Sequence, residues 1–276
     1  MRGVDALEDT VKKEIIRFIR ENPANRLPDS DTPYFDEPLV GFTSASDSIF
    51  TDYKRIIGSF HLLPSELLPE ALSVICWLLP INLAVRASNR REREWPSREW
   101  SLTRTNGEAV NASLRRHLVS WLEGMGNMAV APQYSPLWKE LSETPVGIAS
   151  TWSERHAAYS AGLGTFSLSD GFISKRGIAH RCGSVITNLQ LLPSTITAVD
   201  HRQNCLYHKN GSCGLCIARC PVGAISLAGH DKNICREFVY GTVPDKLSVE
   251  YGVPQLGCGL CQTKVPCEAM IPPACL

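Results

Sequence analysis

The stretch CGLCIARCP, from Cys213 to Pro221, decides the fold of this chain together with a second stretch, CGLCQTKVPC, from Cys258 to Cys267. Nine of the eleven cysteines lie from Cys205 onwards. The spacing C-x2-C-x3-C-P is typical of proteins that hold iron–sulfur clusters with cysteine thiolates. The sequence therefore predicts electron transfer through bound clusters.

Two sets of four ligands follow from this spacing. Bacterial ferredoxins supply C-x2-C-x2-C-x3-C-P, in which the fourth cysteine ligates the other cluster. This chain keeps the last three cysteines, and Asn210 stands where the first is expected, so we infer that Cys205 replaces it through a longer loop. The crossed pattern predicts that cluster one takes Cys205, Cys213, Cys216 and Cys267, and that cluster two takes Cys220, Cys235, Cys258 and Cys261. Cys275 is left over.

A pair of structural zinc sites is the alternative for the same cysteines, because two C-x2-C units can form a zinc ribbon with four thiolate ligands. The C-x3-C-P spacing and the third cysteine in each group favour iron–sulfur clusters. Outside the two groups, Cys76 lies in an apolar run and is interpreted as a small buried hydrophobe. Cys182 stands beside a glycine, and for it a position that faces a ligand stays open.

The composition limits the partners that the chain can have. Its 276 residues include 28 basic and 28 acidic ones, so there is no net field to attract nucleic acid or an anionic membrane, and a small-molecule ligand is expected. The apolar run from Ala71 to Leu83 is too short to span a bilayer, and the N-terminus lacks the apolar segment of a signal peptide. Many cysteines without a signal predict a reducing, cytoplasmic location.

Cysteine density divides the chain near Asp200, and we predict two domains, 1–200 and 201–276. Helical and strand patterns alternate in the first, which predicts an α/β or α+β domain of undetermined sheet order. Helices are predicted over Leu7–Ile19, Pro64–Leu72 and Gly107–Gly126, and strands over Leu39–Phe42, Ser73–Leu79, Met128–Ala131 and Gly183–Leu189. Thr151 and Glu154 have the spacing of a capping box, which would open a helix that stops at Gly162.

From Thr151 to the C-terminus, the chain resembles the superfamily of epoxyqueuosine reductases and reductive dehalogenases. The segment Ala161-Gly162-Leu163-Gly164 is similar to the AGLG turn of that superfamily. The segment Arg181–Leu189, RCGSVITNL, is similar to its glycine-containing strand. The two-cluster cysteine module is the third point of resemblance.

The resemblance implies a cobalamin-binding, nitroreductase-like α/β domain followed by a ferredoxin-like domain with two [4Fe-4S] clusters. Electrons from a ferredoxin or flavodoxin would pass through the clusters to cobalt, for reductive cleavage of a small-molecule substrate. The residues implied at the cobalamin are Ala161, Gly162, Leu163, Gly164, Arg181, Cys182 and Gly183. Glycine suits this place because backbone approaches a broad, flat corrin only where Cβ atoms are absent. The alternative is an electron-transfer or corrinoid-handling protein without substrate turnover of its own.

The chain departs from the superfamily at two positions. Cys267 is followed by Glu268 instead of proline, which indicates a side branch. The acidic proton donor that epoxyqueuosine reductases carry upstream of AGLG aligns with the apolar Ile148. This second departure argues against epoxyqueuosine as the substrate.

A proton donor is still required, because reductive cleavage of a carbon–heteroatom bond needs a general acid close to the leaving atom or the carbanion. The candidates are Glu154, His156 and Tyr159, on the helix that leads into AGLG. The tract Arg90–Arg104 also combines arginines with two tryptophans. Such a tract either lines a pocket or binds a phosphate, or it forms a solvated loop that its indoles anchor.

Overall fold

The fold comes from a computed structural model, which describes residues 4–28 and 30–275. The helices are α1 (Val4–Glu21), α2 (Ile49–Ile56), α3 (Pro64–Leu67), α4 (Leu83–Arg91), α5 (Arg98–Leu102), α6 (Glu108–Gly124), α7 (Glu154–Ser160), α8 (Leu206–Asn210), α9 (Leu215–Ala218), α10 (Lys232–Glu237) and α11 (Val243–Tyr251). The strands are β1 (Leu39–Ser44), β2 (Ser73–Pro80), β3 (Ala129–Val130), β4 (Glu140–Leu141), β5 (Ala149–Ser150), β6 (Gly164–Phe166), β7 (Phe172–Ser174), β8 (His180–Thr187), β9 (Ile225–Ser226) and β10 (Gly229–His230). In this part of the chain, no helix combines the length and the apolar character needed to cross a membrane.

A four-stranded sheet in the order β1-β2-β8-β3 forms the centre of the fold. Every residue of β2 is buried, because helices cover both faces of the sheet. Trp77 on β2 lies opposite Gly183 on β8, and a Cβ atom at Gly183 would overlap the Trp77 indole. All pairings between the described strands of this sheet are antiparallel, so the domain is α+β.

Two layers of helices pack on the two faces of the sheet. On one face, Ile15 of α1 lies in the same apolar core as Trp77. On the other face, Phe50 of α2 and Ala157 of α7 share a core with Cys76. Successive residues of β2 thus enter opposite layers, as the two-residue period of a strand requires.

The predicted helices and strands are confirmed in most places. The elements α1, α6, β1, β2, β3 and β8 lie where the apolar patterns predicted them. The helix predicted over Pro64–Leu72 is wrong beyond Leu67, because Leu68 is extended, with φ −142° and ψ 105°, and turns the chain towards β2. Cys76 is fully buried, and its thiol donates to Ala157 O at 3.2 Å, which confirms its interpretation as a buried residue.

The capping box predicted at Thr151 is wrong. The helix α7 begins at Glu154, and Ser153 is the residue that precedes it. The Thr151 hydroxyl instead donates to Leu137 O at 3.0 Å and accepts from Lys139 N at 2.9 Å. These bonds hold the approach to α7 against the β4–β5 hairpin.

The cysteine-rich segment shares its core with the sheet. Phe238, Val243 and Leu256 are buried in the same apolar cluster as residues of α1, α6 and β2. Trp95, in the loop after α4, stacks on Phe238 with 5.7 Å between the ring centroids. A continuous core therefore bridges the sequence boundary predicted near Asp200.

Glu268, directly after Cys267, forms a buried ion pair with α4. Its carboxylate, 4% exposed, accepts hydrogen bonds from Arg86 at 2.9 Å and from Arg90 at 2.6 Å. It also accepts one from the Lys264 backbone N–H at 2.8 Å. Glutamate at this departure from the superfamily pattern thus joins the second cysteine stretch to α4.

Replacement of this carboxylate, Glu268→Gln, is expected to lower the free energy of unfolding by about 3 kcal/mol, because the buried Arg86 guanidinium loses its counter-charge. The exposed pair of Glu140 and Arg236, 2.7 Å apart, offers a matched control. Glu140→Gln should cost about 1 kcal/mol or less. Chemical denaturation of protein purified without oxygen measures both losses, and equal losses would contradict the role of Glu268.

Candidate functional site

Five cysteines line a small apolar cavity beside β7 and α8. They are Cys261 and the four residues predicted for cluster one, Cys205, Cys213, Cys216 and Cys267. Burial and the neighbouring thiols of Cys205 and Cys213 raise the pKa of Cys216 to about 11. Burial and the same group of thiols also raise the pKa of Cys267. The structure therefore brings these four side chains together, including the displaced Cys205.

The other four predicted ligands line a second cavity. They are Cys220, Cys235, Cys258 and Cys261. Burial raises the pKa of Cys258 to about 12, and the thiols of Cys235 and Cys220 add to this effect. Cys261 lines both cavities and thus stands between the two groups. Cys275 is buried and is not among the described residues that line either cavity.

Both groups have the chemistry that an iron–sulfur cluster needs. Each supplies four thiols, which a bound metal converts to thiolates. The Ala224 backbone N–H donates to Cys220 Sγ at 3.2 Å, a contact of the kind that orients and tunes a ligand. Within residues 4–28 and 30–275, no group of three or more His, Cys, Asp or Glu side chains is placed to hold a single metal ion.

Arg219, inside the first cysteine stretch, holds that stretch against two other parts of the chain. Its guanidinium donates to the backbone oxygens of Leu260 and Thr263, each at 3.1 Å, in the second stretch. It also donates to Glu92 O at 2.6 Å and to Asn89 O at 3.2 Å, at the end of α4. One side chain thereby positions both cysteine stretches relative to α4.

The second cavity has a volume of about 240 Å³ and lies between the start of β8 and the cysteine-rich segment. Its charged and titratable wall residues, apart from the cysteines, are Arg104, Arg155, Arg181, His180 and His230. Its apolar wall includes Trp100, Phe238 and Val239. No acidic side chain is found among the described wall residues. The cavity thus combines thiols, cationic groups and apolar surface.

Arg181 is the member of the predicted cobalamin set that lines this cavity. Glu108 holds it from behind and accepts two hydrogen bonds from its guanidinium, at 2.6 and 2.8 Å. Glu108 also pairs with Arg115 at 2.9 Å. Burial alone would raise the pKa of Glu108, but Arg181 and Arg115 outweigh burial and lower that pKa to about 2. The ionised carboxylate therefore fixes the direction of Arg181.

His180 and Cys182 form a neutral pair at the start of β8. We assign the proton of His180 to Nε2, which donates to Phe172 O at 2.7 Å, so Nδ1 accepts from the Cys182 thiol at 3.6 Å. Burial lowers the pKa of His180 to about 4 and raises the pKa of Cys182 to about 12. Both groups are thus uncharged near neutral pH, and the Cys182 thiol is directed at His180.

The three candidate proton donors of α7 lie away from both cavities. Glu154 is buried 3.8 Å from Arg115, and burial raises the pKa of its carboxyl. His156 packs on Phe166 with 4.7 Å between ring centroids, and burial lowers its pKa to about 3. Tyr159 also packs on Phe166, and burial raises its pKa. A donor role for these residues stays a prediction that the geometry does not support.

Arg155 is the residue of α7 that reaches the second cavity, and the sequence interpretation gave it no role. Its guanidinium donates to the backbone oxygen of Asp170. The Asp170 carboxylate contacts His230 Nδ1 at 3.3 Å, and hydrogen bonds to Asp170 and Cys235 raise the pKa of His230 to about 9. Arg104, at the end of the arginine tract, also lines the cavity, so the pocket interpretation of that tract holds for this residue.

The glycines of the AGLG-like turn serve the packing of the chain itself. Gly162 has φ +70°, and a Cβ atom there would lie 2.8 Å from Thr195 O. A Cβ atom at Gly164 would overlap the carbonyl of Ile173. The close approach that these glycines permit is thus between backbone segments of this protein, and these distances do not support the expected approach of a corrin.

Ile148 lies in the loop between β4 and β5, just before α7. Lys232 Nζ donates to Ile148 O at 3.2 Å and to Val146 O at 2.7 Å. Burial lowers the pKa of Lys232. The sequence resemblance predicts an acidic residue in this loop. In this chain, hydrogen bonds from the Lys232 ammonium hold the loop against α10.

Comparisons with known proteins identify the fold. An epoxyqueuosine reductase solved with an epoxyqueuosine-modified tRNA-Tyr stem loop matches at 19% identity and a TM-score of 0.55, over 96% of this chain and 66% of that one. An epoxyqueuosine reductase from Bacillus subtilis matches at 19% identity and a TM-score of 0.51, over 96% of this chain and 69% of that one. A reductive dehalogenase matches at 13% identity and a TM-score of 0.53, over 86% of this chain and 31% of that one.

The fold predicted from the resemblance is therefore confirmed. The chain shares the fold of epoxyqueuosine reductases and reductive dehalogenases, and it spans 66% of the former example and 31% of the latter. No family model and no curated protein matches the chain. At these identities the likeness establishes the fold, and the chemistry must be argued from the site.

Replacement of the buried Glu154 by glutamine is expected to change how stability depends on pH. Its pKa is raised in the folded protein, so its ionisation weakens the fold as the pH rises above the ordinary value of 4.5. Glutamine cannot ionise, and the stability of Glu154→Gln relative to the wild type should rise from about pH 5 to about pH 8. Denaturant unfolding at both pH values measures this. The exposed Glu143→Gln is the control, and the same trend there would contradict the assignment.

Proposed function

We propose that this chain is an iron–sulfur reductase that relays electrons through two [4Fe-4S] clusters towards a small-molecule substrate. The observation that carries the proposal is that the eight predicted ligand cysteines line two cavities. Cys261 lines both cavities, so the two clusters would share one path. The fold supports the proposal, since it is shared with proteins described as reductases and dehalogenases.

Cluster two is proposed to act on the substrate side of this path. Its cysteines share a cavity with Arg155, Arg181 and Trp100, which would orient a bound substrate. Cluster one is proposed to accept electrons from a ferredoxin or flavodoxin. Cluster one is given this role because the cavity that its ligands line lacks the arginines of the second cavity.

A small molecule is proposed as the substrate, in contrast to the tRNA stem loop bound by one structural neighbour. The chain has no net charge that would gather a polyanion. We therefore propose the same reductive type of chemistry as in the epoxyqueuosine reductase neighbour, with a small molecule in place of tRNA as the substrate.

Cobalamin is a candidate cofactor because the chain shares its fold with a reductive dehalogenase that is described in terms of B12-dependent dehalogenation. The second cavity does not hold a corrinoid as it stands: sites for drug-sized ligands measure roughly 300–1,000 Å³, and a corrinoid exceeds those ligands. We therefore assign no reaction step to cobalamin. Titration of the anaerobic, cluster-loaded protein with cob(II)alamin, followed by electron paramagnetic resonance, tests whether a corrinoid binds.

A second candidate is an electron-transfer or corrinoid-handling protein without substrate turnover of its own. Two observations favour it: the described wall of the second cavity carries no acid, and Ile148 stands at the position of the superfamily's proton donor. Rapid reduction of a partner's cofactor without a small-molecule product would support this candidate over the reductase.

Iron content tests the assignment of the clusters. Anaerobically reconstituted protein should hold about eight irons per chain, as two [4Fe-4S] clusters require. Cys205→Ser removes a ligand of cluster one, so about half of the iron should be lost. Cys275→Ser, which changes a buried cysteine outside both sets, should keep all of it. Zinc in place of iron, or equal iron loss in the two variants, would contradict the assignment.

A further inference from the structure

We propose that the surface over cluster one docks a small acidic electron-carrier protein through four exposed cations, Lys175, Arg202, Lys209 and Lys264. The proposal rests on the proposed function, in which an external donor reduces cluster one. It goes further because it names the residues that meet the donor and the sign of the charge that the donor must carry.

Two of the cations flank the cluster-one ligand Cys205. Arg202 precedes it in a turn, in which the Cys205 N–H donates to Arg202 O at 3.0 Å, and Lys209 follows on α8, where its N–H donates to Cys205 O at 2.9 Å. Burial raises the pKa of Cys275, the charge of Lys209 opposes this effect, and the thiols of Cys205 and Cys213 add to it. Lys209 thus lies within electrostatic reach of the same part of the chain as the cluster-one thiols.

The other two cations lie on loops beside the cluster-one cavity. Lys264 belongs to the second cysteine stretch, three residues before Cys267. Lys175 lies in the turn that links Ile173 of β7 to Ile178, and both isoleucines line the cavity. The Ile178 N–H donates to Cys267 O at 2.8 Å, so this turn packs against the second cysteine stretch. Three separate segments therefore bring exposed cations to the surroundings of cluster one.

Acidic side chains leave these cations uncompensated. All four are exposed, and among residues 4–28 and 30–275 none of them forms an ion pair with a carboxylate. Residues 201–230 contain no Asp or Glu, and the second cysteine stretch contains none either. Glu268, which follows that stretch, is buried in its ion pair with α4. The exposed Asp200 lies 3.7 Å from His201 and is the nearest acid before this segment.

The charge of a loaded cluster one does not reverse the sign of this surface. A [4Fe-4S] core with four thiolates carries a net charge of about −2. The four cations outnumber that charge together with the charge of Asp200. The cluster would also lie behind the surface, because its ligand Cys205 is buried. Carboxylates of a partner would meet the exposed cations directly, and salt screens more distant charges beyond about 8–10 Å.

Exposed apolar side chains on the same segments favour a protein as the partner. Leu215, between the ligands Cys213 and Cys216, is 49% exposed, and Met270, three residues after Cys267, is 52% exposed. Protein–protein interfaces combine an apolar centre with a polar rim, whereas interfaces with nucleic acid are more polar. An acidic protein with apolar surface near its own redox centre would match both the cations and these two side chains.

Stopped-flow reduction of the full, cluster-loaded protein by an acidic bacterial ferredoxin tests the proposal. The bimolecular rate constant should fall by about tenfold or more when the salt concentration rises from about 50 to about 500 mM, because salt screens the steering charges. The double variant Lys209→Glu with Lys264→Glu should react at least about tenfold more slowly at low salt. Lys209→Gln with Lys264→Gln should give an intermediate rate constant.

The matched control is Lys13→Glu with Lys246→Glu, which reverses the charge of two exposed lysines on α1 and α11 and alters the net charge by the same amount. Its rate constant should stay near that of the wild type. Equal losses in the two double variants, or a rate constant that does not depend on salt, would overturn the proposal. Displacement of ferredoxin by a tRNA stem loop that binds the same lysines would assign the surface to nucleic acid and would overturn it as well.

A small reductant separates a failed docking surface from a failure of the cluster proposal. The reduced methyl viologen cation needs no complementary acidic surface, so it should reduce the Lys209→Glu, Lys264→Glu variant at least as fast as the wild type. Slower reduction of this variant by methyl viologen would show a damaged cluster and overturn the docking role. Electron paramagnetic resonance of the fully reduced wild type, with iron analysis, tests the cluster: no reducible iron–sulfur signal would contradict the proposed function itself.

Discussion

The guanidinium of Arg219 joins three loops on which the geometry of the site depends. It donates to backbone oxygens of Leu260 and Thr263 in one cysteine stretch and to those of Asn89 and Glu92 at the end of α4. Asn89 O and Leu260 O also accept from the backbone N–H groups of Glu92 and Thr263, each at 3.3 Å, so the guanidinium adds a second donor to these two carbonyls. A planar, rigid group that satisfies all of them leaves the loops little freedom. The buried pair of Glu268 with α4 adds a second fixed point between the same parts of the chain.

The acids around the second cavity are placed behind its wall. Glu108 neutralises Arg181, Asp170 contacts His230, and Glu154 lies near the buried Arg115. None of the three carboxylates is among the described residues that line the cavity. The chain, which has no net charge, thereby presents a cationic pocket beside a group of thiols. The local charge at this site thus depends on where the arginines and the acids lie in the fold, and the net charge of the chain does not predict it.

The fold is shared with enzymes of known chemistry, but the residues that would perform that chemistry differ. Ile148 lies in a loop that Lys232 ties to α10, where the resemblance leads one to expect an acid. The turn glycines Gly162 and Gly164 accommodate neighbouring backbone. A fold determines where a site can form, and the side chains on its loops determine what the site does. The differences at these loops are the basis for proposing a substrate other than the tRNA bound by one structural neighbour.

The sequence by itself determined the features that depend on local spacing. The C-x2-C-x3-C-P pattern identified the cysteines that line the two cavities, and the apolar run of β2 and the helical period of α6 predicted those elements. The two-residue and 3.6-residue periods are properties of the backbone, so they survive any tertiary arrangement. Only the tertiary structure decided the direction of each side chain on the seven-residue α7, where Arg155 enters the cavity and Glu154 turns to Arg115. Packing on the sheet sets the rotation of so short a helix, and no local signal in the sequence encodes it.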